Sequence, residues 1–172
     1  MFILEHGVFL YTYICAMKLS PSLIARLHNQ HEAIQDTIAG KPAIALTQVP
    51  APGKWSAHDN IAHLAVYQPV FIGRMQQILG EDMPVFDRYS ADDDPNFALG
   101  RERETGDLLQ WLVAERTKLE TLITGLSEAE LSRAGIHKKY GTLTIGQWTE
   151  FFLLHEAHHM FTIFQRVNDM PL

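Results

Sequence analysis

Near the C-terminus the run Leu154-His155-Glu156-Ala157-His158-His159 concentrates the side chains best suited to hold a metal ion. Groups four positions apart on a helix stand one above the other, so His155 and His159 can close on a single ion. Neutral imidazole is a good ligand for zinc, nickel or iron, and a rigid helix lowers the cost of ordering two of them. His63 is the third candidate, because Ile61, Ala62, Leu64 and Ala65 around it place it on an inward face. An imidazole in an apolar stripe needs a partner for each ring nitrogen, and a shared ion supplies one. Three histidines with one position left over make an open tetrahedral site of the catalytic type. His158, three residues after His155, competes with His159 as a ligand, and helix geometry alone does not choose between them. His58 and His137 are expected at the surface or in local hydrogen bonds, and His6, His28 and His31 are read the same way.

His155-Glu156-x-x-His159 also matches the H-E-x-x-H pattern of zinc peptidases, in which the glutamate activates the attacking water. Those enzymes take a further ligand downstream, whereas the 13 residues after His159 contain neither His nor Glu. Glu156 is therefore a weak catalytic candidate.

The elements that must position these groups are helical. Ser20-Pro21 opens a first helix running to about Ala39, since Ser caps free N–H groups and Pro tolerates the first helical position. Residues 40–54 carry Pro42, Pro50, Pro52 and Gly53 and read as an irregular connection. Ser56 and Asp59 form a capping box for a second helix reaching Gly80, with a kink expected at Pro69. Residues 81–100, rich in Asp, read as a long surface loop that can cover the bundle mouth. A third helix is expected from Arg101 to Thr124, a short one from the Ser127/Glu130 box to near Gly135, and a last one from the Thr144/Gln147 box to about Asn168. No strand pattern competes. The expected fold is all-α, an antiparallel four-helix bundle. Of the aromatic residues near the ligands, Tyr67, Trp148, Phe152 and Phe161 are expected mostly in the core.

With 47% hydrophobic residues the chain can bury one core. Fourteen Lys plus Arg stand against 20 Asp plus Glu, with no basic run, which argues against nucleic acid as a partner. Cys15 is the single cysteine, so an intrachain disulfide is excluded. Residues 1–16 form an apolar extension without a basic leader region, too short for a membrane span, and translation is expected to start at Met17, leaving 17–172 as the domain. These features lead us to expect a cytoplasmic protein with no membrane partner.

Trp55-Ser56, then Ile61-Ala62-His63-Leu64, then Gly141-x-Leu143-Thr144 leading into His155-x-x-x-His159-x-x-x-Ile163, resemble the DinB/YfiT-like superfamily over nearly the whole chain from Met17. The resemblance implies a four-helix bundle, commonly a homodimer, with a metal held by His63, His155 and His159. Many relatives carry an acidic residue three positions after the first ligand; here that place is Val66, so any role of such a carboxylate is absent or taken elsewhere. Known activities in the family include transfer reactions that use low-molecular-weight thiols, and others are described as hydrolases. The expectation is accordingly a divalent-metal enzyme, with zinc or nickel as cofactor. It would join a small thiol cosubstrate to a small electrophilic substrate. Metal-assisted hydrolysis and a non-catalytic metal-binding module are the alternatives.

Overall fold

The structure is a computed structural model that describes residues 18–170. The expected start at Met17, the apolar extension, Cys15 and His6 lie outside the described residues. Four helical rods dominate. The first is α1 (Pro21–Asn29) with α2 (Glu32–Ile38), and the others are α4 (Ala57–Gly80), α6 (Thr105–Thr124) and α8 (Ile145–Val167). No helix among the described residues is long and apolar enough to cross a membrane.

Each rod contributes to two apolar clusters. One holds Leu27 of α1, Phe71 of α4, Leu119 of α6 and Trp148 of α8. The other holds Ile34 of α2, Ile61 of α4, Leu112 of α6 and Ile163 of α8. Along α4 and α6 the chain passes from the second cluster to the first; along α1–α2 and α8 it passes from the first to the second. The bundle therefore consists of two parallel pairs, antiparallel to one another. Between the clusters lies a polar layer to which every rod contributes. Arg116 and Glu156 form an ion pair with side chains 1% and 0% exposed. The Arg116 guanidinium also donates to the Leu27 carbonyl at 3.2 Å and to Gln68 at 3.4 Å, and Gln30 donates to Glu156 at 3.0 Å.

This direction of travel explains the long connection after α4. A 24-residue helix is about 36 Å long, and entering α6 in the same direction as α4 requires a return of that length. Residues 81–104 make the return and are not the plain loop expected. They include strand β1 (Val85–Phe86), a single 3₁₀ turn (Ala91–Asp93) and α5 (Pro95–Arg101). Asp94 caps α5 by accepting from the Asn96 N–H, with Pro95 in the first position, a start signal masked by the run of acids before it. Arg101 thus closes α5, and α6 begins only at Thr105.

Three further expectations are corrected. Helix one is tightened at its centre, where the Ala33 and Ile34 N–H groups bond carbonyls three residues back, to Gln30 and His31, so α1 and α2 separate there. The connection after α2 holds a five-residue helix, α3 (Ala43–Thr47). The chain is also not free of strands: the short helix α7 (Glu128–Leu131) stops before Gly135, and β2 (Ala134–His137) with β3 (Gly141–Thr144) makes a hairpin on which β1 pairs in parallel. Gly135 is required in β2, because a Cβ there would stand 2.7 Å from Phe86 and 2.9 Å from Ile78. Helix α4 runs unbroken through Pro69, whose ring is on an exposed position.

Candidate metal centre

Helix α4 begins with its capping box intact. Ser56 and Asp59 exchange hydrogen bonds, and Asp59 also accepts from Arg101 at 2.6 Å, which ties α4 to the end of α5. His58 reinforces this joint. Its Nε2–H donates to the Arg101 carbonyl at 3.1 Å and its Nδ1 accepts from the Thr105 hydroxyl at 2.8 Å. His58 is therefore buried and makes long-range bonds, contrary to the expected surface or local role. One turn further on, His63 faces α8, with 4% of its surface exposed.

The three candidate histidines meet between α4 and α8. Nε2 of His155 lies 3.1 Å from Nε2 of His63 and 3.1 Å from Nε2 of His159, and one ligand atom from each residue falls within 4.8 Å of the other two. His158 is exposed at the pocket edge and takes no part in the cluster, its ring centred 5.3 Å from that of His159. Asn60, unremarked in the sequence, settles the protonation of His159. The Asn60 amide nitrogen donates to the Ser56 carbonyl at 2.7 Å, so its oxygen must be the atom facing His159 Nδ1 at 2.8 Å. That nitrogen donates, which leaves the Nε2 lone pair directed at the cluster.

Burial, and the proximity of neighbouring imidazoles including His158, keep these rings neutral. The His63 pKa falls from 6.5 to about 3, that of His155 to about 4 and that of His159 to about 2, with desolvation the largest cause in each case. Three uncharged imidazoles with converging nitrogens fit a cation. Ligands at about 2.0–2.1 Å around one tetrahedral ion stand roughly 3.3 Å apart, near the 3.1 Å pairs observed. Among the described residues Nδ1 of His63 and of His155 finds no hydrogen-bond partner.

Trp55 closes one side, with its ring 5.1 Å from His63 and 4.8 Å from Phe97 of α5. Tyr67 and Tyr89 close another; Tyr67 lies 4.9 Å from the His155 ring. Beyond them opens a pocket of about 500 Å³ whose walls include Arg74, Arg88, Asp92, His137 and Lys139. Within this framework, the chain's family is decided by a family model described as the DinB superfamily, which matches residues 22–163. The chain belongs to the DinB superfamily. Two solved structures share the fold. YfiT from Bacillus subtilis, described as "a probable metal-dependent hydrolase with an unusual four-helix bundle topology", superimposes with a TM-score of 0.71 at 16% identity over 87% of each chain. The DinB-like protein YjoA from Bacillus subtilis gives 0.58 at 15% identity, over 88% of this chain and 96% of its own. No curated protein matches in sequence.

Glu156 does not reach this site. It is neither outward nor directed at the histidines, but fully buried on the face of α8 that meets Arg116 and Gln30. Val66 is buried beneath Gly100 of α5. His137 is buried, with Nδ1 accepting from the Lys139 and Tyr140 N–H groups at 3.0 and 3.3 Å. His28 pairs with Glu120, while His31 is buried with Nδ1 unpartnered and its pKa lowered to about 4, chiefly by desolvation. Tyr67 is a pocket wall as well as a core residue; Trp148 and Phe152 are core, and Phe161 is exposed.

Proposed function

We propose that the chain is a metal-dependent enzyme that joins a small thiol to an electrophilic carbon, with one divalent ion, zinc or nickel, held by His63, His155 and His159. The observation that carries this reading is the pocket that opens on these three imidazoles while offering no carboxylate set beside them as a base. Among the described residues its one lining carboxylate, Asp92, is exposed on the 3₁₀ turn, and Glu156 is occupied by Arg116. A bound divalent cation supplies Lewis-acid activation and lowers the pKa of a thiol or water. Attack by water gains from a protein base, whereas an activated thiol has already released its proton to solvent. The sulfur then bonds to carbon and the leaving group departs with the bonding pair. Trp55, Tyr67 and Tyr89 wall the reacting atoms from water. Burial holds the Tyr67 pKa above its ordinary value, so its hydroxyl keeps a proton to donate to the leaving group.

Untagged protein reconstituted with zinc or nickel is expected to conjugate monobromobimane to a panel of thiols faster than background, and His155→Ala to abolish that rate. No metal-dependent rate with any thiol would overturn the reading. Hydrolysis is the second reading, and Asp92 is the feature that favours it. Ester cleavage lost in Asp92→Asn, with no thiol conjugation in the wild type, would establish it instead.

A further inference from the structure

The chain carries a formal charge of −6, yet among the described residues its pocket is lined by three permanent cations, Arg74, Arg88 and Lys139, against the single carboxylate of Asp92. Among the described residues none of the three has a carboxylate within ion-pairing distance; Lys138, next to Lys139, takes Asp87 instead. Arg88 and Lys139 are exposed at the mouth, whereas Arg74 is half-buried and fixed. Its guanidinium lies 5.5 Å from the Phe86 ring centre and 5.9 Å from that of Trp148. It donates through one terminal nitrogen to the Asp87 carbonyl at 2.9 Å and through the other to the Tyr67 hydroxyl at 3.4 Å. A guanidinium has five N–H donors in a rigid fork, so about three remain for a ligand.

Arg74 also shares a face of α4 with His63. It lies eleven residues after His63, close to three whole turns, and the rise between their backbones is about 16 Å. Helical side chains lean toward the N-terminus, which brings the Arg74 guanidinium back to Tyr67, whose ring is in turn 4.9 Å from His155. The gap from the Arg74 fork to the imidazoles is at most roughly two helical turns, or ~11 Å, which a short thiol acid fills together with its bond to the ion (~2.3 Å) and its hydrogen bonds to the fork (~2.8 Å).

We propose that Arg74, with Arg88 and Lys139 at the mouth, forms an oxyanion subsite that selects a ligand carrying a carboxylate or phosphate at the end opposite its reacting atom. The position of the reacting atom rests on the function proposed above; the subsite itself does not. A planar, pre-positioned fork binds such groups through paired charge-assisted hydrogen bonds, and a cationic mouth draws anions in from solution.

Two arms test this. In metal-free protein, calorimetry should detect binding of succinate or of inorganic phosphate, and the two probes distinguish a carboxylate from a phosphate subsite. The neutral diamide of succinate should not bind, and Arg74→Met should weaken the anion by about tenfold or more. In cobalt-loaded protein, mercaptopropionate should shift the visible spectrum at a concentration about tenfold or more below that needed with mercaptopropanol of the same length. Arg74→Met should erase that preference while leaving the mercaptopropanol titration and the cobalt stoichiometry unchanged. Arg74→Lys, which keeps the charge and loses the fork, covers the case in which the methionine variant fails to fold. Equal binding of charged and neutral probes in both arms overturns the subsite. Anion binding to the metal-free protein, with a cobalt spectrum indifferent to every thiol, upholds the subsite and refutes the thiol reading.

Discussion

Replacing Glu156 with leucine tests whether the polar layer or the metal centre is where this residue acts. Both members of the Arg116–Glu156 pair are at most 1% exposed, so solvent does little to screen the charge left behind. Removing one partner of such a pair costs about 3–5 kcal/mol, because a guanidinium stays buried without its counter-charge. For a chain of this size that corresponds to a fall in Tm of roughly 6–20 °C. Arg116 keeps the Leu27 carbonyl and Gln68 as acceptors, and Gln30 keeps the Leu153 carbonyl, so the loss should sit toward the lower end. The double variant Arg116→Met/Glu156→Leu should regain most of it, since replacing both charges with apolar groups is often neutral. Urea denaturation followed by circular dichroism, with an unchanged m value, is the assay. A single variant within about 1 kcal/mol of wild type, or a double variant no better than the single, would refute the argument. Metal content should be unaffected, which separates this structural role from that of a peptidase glutamate.

Asn60→Leu should leave the fold intact and weaken zinc binding about 10–100-fold, as measured against a chromophoric chelator, because it frees the His159 tautomer. Unchanged affinity would remove Asn60 from the account. The metal-free protein should lose stability as the pH falls from 7 to 5. His31, His63, His155 and His159 titrate at about 4, 3, 4 and 2 when folded, against 6.5 in the unfolded chain. The unfolded state therefore binds more protons below about pH 6.5, and stability present above that value drains away as the pH drops. A urea midpoint constant over this range would contradict the buried, neutral assignment.

Much of the helical frame was legible because its signals are local: the Ser56/Asp59, Ser127/Glu130 and Thr144/Gln147 boxes all form as read. The i, i+4 spacing of His155 and His159 likewise survives into the geometry, and the apolar flanks of His63 do place it inside. What escaped depends on contacts between distant residues. The hairpin strands are four residues each, too short for a period to stand out, and β2 is fixed by the approach of Gly135 to Phe86 and Ile78. His58 looked exposed because its partners, Arg101 and Thr105, come from another helix pair. The burial of Glu156 depends on Arg116 forty residues earlier, and the cationic pocket wall gathers Arg74, Arg88 and Lys139 from three elements with no basic run between them.

The central claim is that His63, His155 and His159 hold one divalent ion. Inductively coupled plasma mass spectrometry on untagged, reconstituted protein tests it most directly, with His63→Ala, His158→Ala and His159→Ala measured alongside. About one equivalent of zinc or nickel is expected in the wild type and in His158→Ala, and little in the other two. A wild type that stays metal-free, or an ion lost with His158 and kept without His159, would contradict it.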